Sequence, residues 1–318
     1  MKNVRLQQIR LDNTELNFDR YLKSIMEERN CTVKEAIAFH DERRVQIQKI
    51  KEKGYTNEEA IKIWHKESPL STKDTYKLNE GEKFNFQTRG VKLLFERLLG
   101  RGFKNEDTQI IRVILVENIA NEEVITRFDG FTEIQLQFDQ DKFFTLSDYE
   151  KKKETLELIM SGIKKVATYK GWDMRPFQEV YEKIIELDYE NEEMKDKKIA
   201  NHPTKKLRTR LLVKHDVQAI EIYVIVTDYR KKELYREKII TETLEDSTSY
   251  AAMISFNRWE LVWKGDNKIV LSKNKIDLSG MATQDDELSK FIKEKENKEI
   301  SEWVVRVPYN VIRDAKSL

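Results

Sequence analysis

The sequence predicts an α+β protein, with a helical N-terminal region, a middle helix-on-sheet domain and a C-terminal, mainly antiparallel β domain. Three observations carry that reading. Apolar residues recur at helical spacing through much of the first 188 residues, and after residue 206 the period becomes two. Nearly all-polar stretches, 68–86 and 189–206, separate the parts. The boundaries predicted on this basis are 1–80, 81–195 and 196–318.

Residues 14–67 read as three helices. Phe18, Tyr21, Leu22 and Ile25 make the first stripe, and Thr32 with Glu35 and Thr56 with Glu59 are capping boxes for the next two. In the middle helix, Asp41 to Arg44 interrupt the apolar positions, which implies packing at its ends alone. Residues 68–86 read as a linker, and a helix follows from Thr88, with Val91, Leu94, Phe95, Leu98 and Leu99 on one face before Gly100. Ile110 to Val116 is apolar and β-branched enough for a central strand. Asp129-Gly130 predicts a two-residue hairpin turn with Ile125 opposite Ile134, and Ile134, Leu136 and Phe138 alternate with polar residues.

The next signal is the cleanest. Ser147 with Glu150 opens a helix whose Leu156, Ile159, Met160, Ile163 and Val166 repeat until Gly171, and Pro176 starts a second with Phe177, Val180, Tyr181 and Ile184. This pair is expected to close over the sheet carrying Ile114, Ile134 and Leu136. Beyond 206, Ile220, Ile222, Val224 and Val226 share a strand face, as do Trp259, Leu261 and Trp263, and later Trp303, Val305 and Val307. Gly265-Asp266-Asn267 supplies a turn, and one late helix is expected near 287–295.

Composition narrows the function classes. The 318 residues hold 58 Lys plus Arg against 57 Asp plus Glu, a net charge of +1, so nucleic acid or an anionic membrane would need a local patch. The single cysteine, Cys31, allows no internal disulfide and fits a reducing compartment. Met1 to Arg10 lacks an apolar segment of signal-peptide length, and nothing approaches the ~20 apolar residues of a membrane span. The expectation is a cytoplasmic protein with no membrane contact and no cofactor.

Site motifs are few. Gly100 and Gly102 lack the spacing of a phosphate loop, and His40, His65, His202 and His215 are scattered. Asp129 and Glu133 at a hairpin would suit a divalent cation in a divergent nuclease, yet Gln135 stands where such a strand carries Lys. The basic stretch is more informative. From Asn201 to Ile240 ten Lys or Arg face five Asp or Glu. Lys205, Lys206, Arg208 and Arg210 open it, and Arg230, Lys231, Lys232 and Arg236 follow beside Tyr229 and Tyr235. These eight cations are the predicted partner-binding residues, for an acidic protein surface or for phosphates with stacked bases.

Ser147-Asp-Tyr-Glu through Gly171-Trp172-Asp173, then Pro176-Phe177 and Tyr181, resembles the helical pair of bacterial immunity proteins that neutralise polymorphic toxins, and Trp259 to Ser272 resembles their small sheet modules. The resemblance covers about a fifth of the chain and implies inhibition by occlusion, without catalytic residues. The functional expectation is therefore a non-enzymatic protein-binding inhibitor in immunity, defence or counter-defence, of bacterial or phage origin. A nucleic-acid-binding protein is the alternative, and a divergent metal-dependent nuclease the third.

Overall fold

The Ser147 hydroxyl accepts the Glu150 backbone N–H while the Glu150 carboxylate accepts that of Ser147 at 2.9 Å, so the capping box opening the helical pair is closed in both directions. The structure, a computed structural model, describes residues 4–54, 63, 73–100, 103–127, 129–243, 259–273 and 302–315. The helices expected around 56–67 and 287–295 lie outside the described residues, apart from residue 63. The protein is α+β. Its chain forms two units, Met1–Tyr189 and Glu190–Leu318.

The first unit runs β1 (Val4–Arg5), β2 (Gln8–Asp12), α1 (Thr14–Arg29), α2 (Val33–Lys51), α3 (Lys73–Leu99), β3 (Lys104–Asn105), β4 (Ile110–Val116), β5 (Ile125–Thr126), β6 (Phe131–Gln137), α4 (Gln140–Thr145), α5 (Asp148–Lys170) and α6 (Arg175–Glu186). β2, β4 and β6 are parallel neighbours, and β5 adds an antiparallel edge to β6. The register places Leu11 beside Val113 and Val113 beside Ile134. This face is buried with Phe84, Leu94 and Phe95 of α3 and Ile159 and Ile163 of α5. Val113, not Ile114, therefore lies under the helical pair, because side chains alternate faces and Ile114 is paired with Gln135 on the other side.

Two expectations fail together here. The boundary near residue 80 and the linker are replaced by α3, one helix of 27 residues from Lys73, in which Phe84 and Phe86 are buried. The N-terminal region is not separate either, since β2 is a strand of the same sheet. Asn13 donates to Gln140 at 3.0 Å, and Gln140 donates to Asn17 and Glu80 at 2.9 and 3.0 Å, joining α1, α3 and α4 through satisfied buried groups. Within α2, Ala36 and Ile50 are buried while Val33 and Ile37 are exposed.

The hairpin also differs. Ile125 pairs with Glu133, and Arg127 N–H donates to Phe131 O at 2.8 Å, so the loop has three residues. Gly130 takes φ +86°, the left-handed position that ends such a loop. The extra residue shifts the register by one.

The second unit holds β7 (Asn191–Asn201), β8 (Leu207–His215), β9 (Ala219–Asp228), β10 (Glu233–Thr243), β11 (Trp259–Lys264), β12 (Lys268–Lys273), β13 (Glu302–Arg306) and α7 (Tyr309–Asp314). Its sheets are antiparallel, ordered β10-β9-β8-β7 and β11-β12-β13. β7 lies beside β11 and β10 beside β13, so the sheets meet along both margins. Leu211, Val213, Ile222, Val224 and Val226 fill the buried face of one, and Trp263, Ile269 and Val305 that of the other. Residues 191–201, expected as part of a polar boundary, form a strand. β7 ends its sheet, where Lys and Glu are common on strands.

Candidate partner-binding surface

β7 turns into β8 through residues 202–206, and β9 into β10 through 229–232. Leu207 pairs with Asp228, so both turns lie at the same end of the sheet, two strands or roughly 10 Å apart. This brings together six of the predicted cations: Lys205, Lys206, Arg208, Arg230, Lys231 and Lys232. Lys206 and the three turn residues are exposed, while Lys205 and Arg208 are half-buried. None of the six forms an ion pair among the described residues. Arg208 lies over the ring of Tyr229, 4.3 Å from its centroid, and Tyr229 is 46% exposed.

The other two predicted cations stand apart. Arg210 and Arg236 both pair with Ile225, further along the sheet. Arg236 meets Glu233 at 3.0 Å and Glu192 at 3.2 Å, so its charge is largely compensated. Tyr235 is half-buried and lies on the other face, since it pairs with Val226 of the buried face. Burial and its 2.6 Å bond to Glu237 push its phenol up to about 12.

The 229–232 turn is tightly held. Asp228 N–H donates to Lys232 O at 3.0 Å, Lys231 N–H to Asp228 O at 3.1 Å, and the Asp228 side chain accepts Lys232 N–H at 2.8 Å. Lys231 occupies φ +68°. This is the position that Gly130 fills in the hairpin of the first unit, and a side chain there is strained by about 1–2 kcal/mol. Sequence alone hides that strain, because no glycine marks the turn.

A second turn residue was equally hard to foresee. His202 is buried, and its Nδ1 accepts the N–H groups of Thr204 and Lys205, both at 3.1 Å. Nε2 then carries the hydrogen and donates to the Asp266 carbonyl at 2.8 Å. The ring also meets Trp263 edge-on, with centroids 4.5 Å apart. A lone His beside Pro203 gives no sequence signal for this.

The nuclease constellation takes another form. Glu133 is buried, accepting from Arg112 at 3.0 Å and Arg127 at 2.7 Å, and Asp129 accepts Phe131 N–H at 3.3 Å. Both carboxylates are engaged locally, and no group of three or more His, Cys, Asp or Glu that could hold a metal ion arises among the described residues. Nor is any helix among them long and apolar enough to cross a membrane.

Family models, curated proteins and solved structures contain no match to this chain.

Proposed function

We propose that this chain is a non-enzymatic binding protein that docks the basic end of its four-stranded sheet on an acidic protein surface and acts by occlusion. One observation carries the reading: six cations, five from two turns and Arg208 from the start of β8, share one sheet end without ion partners among the described residues. Such a patch raises association rates and selects acidic partners more than it stabilises the fold. The strained Lys231 supports it, since strain at a tip is retained where the side chain serves something outside the fold. The resemblance of the helical pair to toxin immunity proteins supports a role in bacterial or phage immunity, defence or counter-defence.

Nucleic acid is the second reading. Exposed Tyr229, with Arg208 on its ring, is favourable for base stacking beside phosphates. Purification from the native cell, with wild type beside Arg230→Glu/Lys231→Glu/Lys232→Glu, tests the first reading. A partner protein retained by wild type and lost by the variant is the expected result. Retention by both would remove the turns from the interface, and nuclease-sensitive retention would select the second reading.

A further inference from the structure

Three segments of the second unit converge beside the basic end. The 203–206 turn and the 265–267 turn are tied to one imidazole, His202, and Asn267 O accepts Val307 N–H at 2.8 Å just before α7. Between them is a pocket of about 400 Å³, lined by Lys205, Asp266, Tyr309, Asn310, Ile312 and Arg313. Its size suits one side chain of a partner or a small ligand. Tyr309 is 70% exposed, and Ile312 is buried beneath. Because His202 and Asn267 fix the walls, little ordering remains to be done on binding.

The charges differ from those of a phosphate site. Lys205 and Arg313 provide cations, but Asp266 adds a carboxylate to the lining, and Tyr309 and Asn310 add neutral hydrogen-bonding groups. A phosphodiester offers only acceptors and negative charge, which Asp266 repels. An acidic residue of a polypeptide brings a carboxylate for the cations and backbone N–H donors for Asp266.

We propose that this pocket is the anchoring subsite of the basic surface, seating one Asp or Glu of an acidic peptide segment on the partner, with Lys205 and Arg313 at its carboxylate and Asp266 at its backbone amide. The inference rests on the docking reading above and names the chemistry of the partner. Lys205 belongs to both the pocket and the basic end, which makes the two continuous.

The test is titration of the full chain at low salt with an end-blocked oligo-glutamate peptide and, separately, a single-stranded oligothymidylate of equal charge. Tryptophan fluorescence reads binding, because Trp263 lies against His202. Wild type is expected to prefer the peptide. Tyr309→Ala and Arg313→Met should each weaken it about tenfold, the effect of losing one desolvated contact. Asp266→Asn, on an exposed side chain, should reduce peptide binding and increase oligothymidylate binding. Unchanged peptide affinity in all three variants, together with loss in the triple turn variant, would overturn the pocket and keep the docking surface. Tighter binding of oligothymidylate by wild type would overturn the peptide assignment. Failure of wild type to bind either polymer would overturn both readings.

Discussion

A Cβ on Gly162 would lie 2.5 Å from Cγ2 of Val113, so α5 crosses the parallel sheet at a point where no side chain fits between helix and strand. Val113 is fully buried and paired with Ile134, whose Cδ1 would be 3.7 Å from the same Cβ. Gly162→Ala should therefore destabilise the protein despite alanine's advantage in helices. Overpacking costs about 1–3 kcal/mol, and the helix gain is about 1 kcal/mol. Val113 is stiff at χ1 and cannot turn aside. Urea denaturation should show a net loss, largely restored by Val113→Ala in the double variant; a stabilised single variant would refute the close crossing.

Ile163, one residue further on, is fully buried against the same sheet. Ile163→Ala should cost about 2–5 kcal/mol. The denaturation midpoint measures this, and a midpoint unchanged within error would contradict the packing.

Stability should also fall in acid through Glu133. Burial raises this carboxyl, but the hydrogen bonds and charges of Arg127 and Arg112 outweigh burial and hold it below the ordinary value of 4.5. The unfolded chain binds its proton more readily, so the stabilisation is fully present above 4.5 and is lost as pH falls through the depressed folded value. Glu133→Gln should cost about 2 kcal/mol at neutral pH, the scale for hydrogen bonds to a charged group. The gap between wild type and variant should narrow well below 4.5. A constant gap across the titration would show that the Arg pairs do not lower this carboxyl.

At the basic turn, stability and binding should part. Lys231→Gly relieves a side chain at φ +68°, and the relief exceeds glycine's added unfolded-state entropy by up to about 1 kcal/mol. The melting temperature should stay level or rise, while binding to the acidic peptide weakens most at low salt. A clear loss of stability would mean that Lys231 serves the fold.

Local grammar was enough for the helical pair and for the period-two strands of the second unit. Caps, glycine stops and alternation act over a few residues, so Ser147, Glu150 and Gly171 state their roles wherever the chain goes next. The basic residues were legible too, because charge needs no partner to be counted. Misreadings arose where a distant contact decided. Residues 73–86 are polar enough for a linker, yet Gly81 lies against Asn17 and Phe84 sits in the core, so they are helical. β2 is too short to announce itself, and it became a strand because Ile9 and Leu11 pair beside Ile111 and Val113 and the Glu96 carboxylate accepts Ile9 N–H at 3.1 Å on its open edge.

What the sequence by itself determined was the α+β class, the capped helix pair and a stretch rich in positive charge, all properties of residues near one another in the chain. Only the tertiary structure decided that the first 189 residues form one unit and that two turns share one sheet end. It also decided that Arg236 is compensated and that His202 joins loops 64 residues apart. The physical reason is range. Capping and periodicity act within a turn or two, whereas strand register, burial and ion pairing depend on partners that sequence order does not bring together.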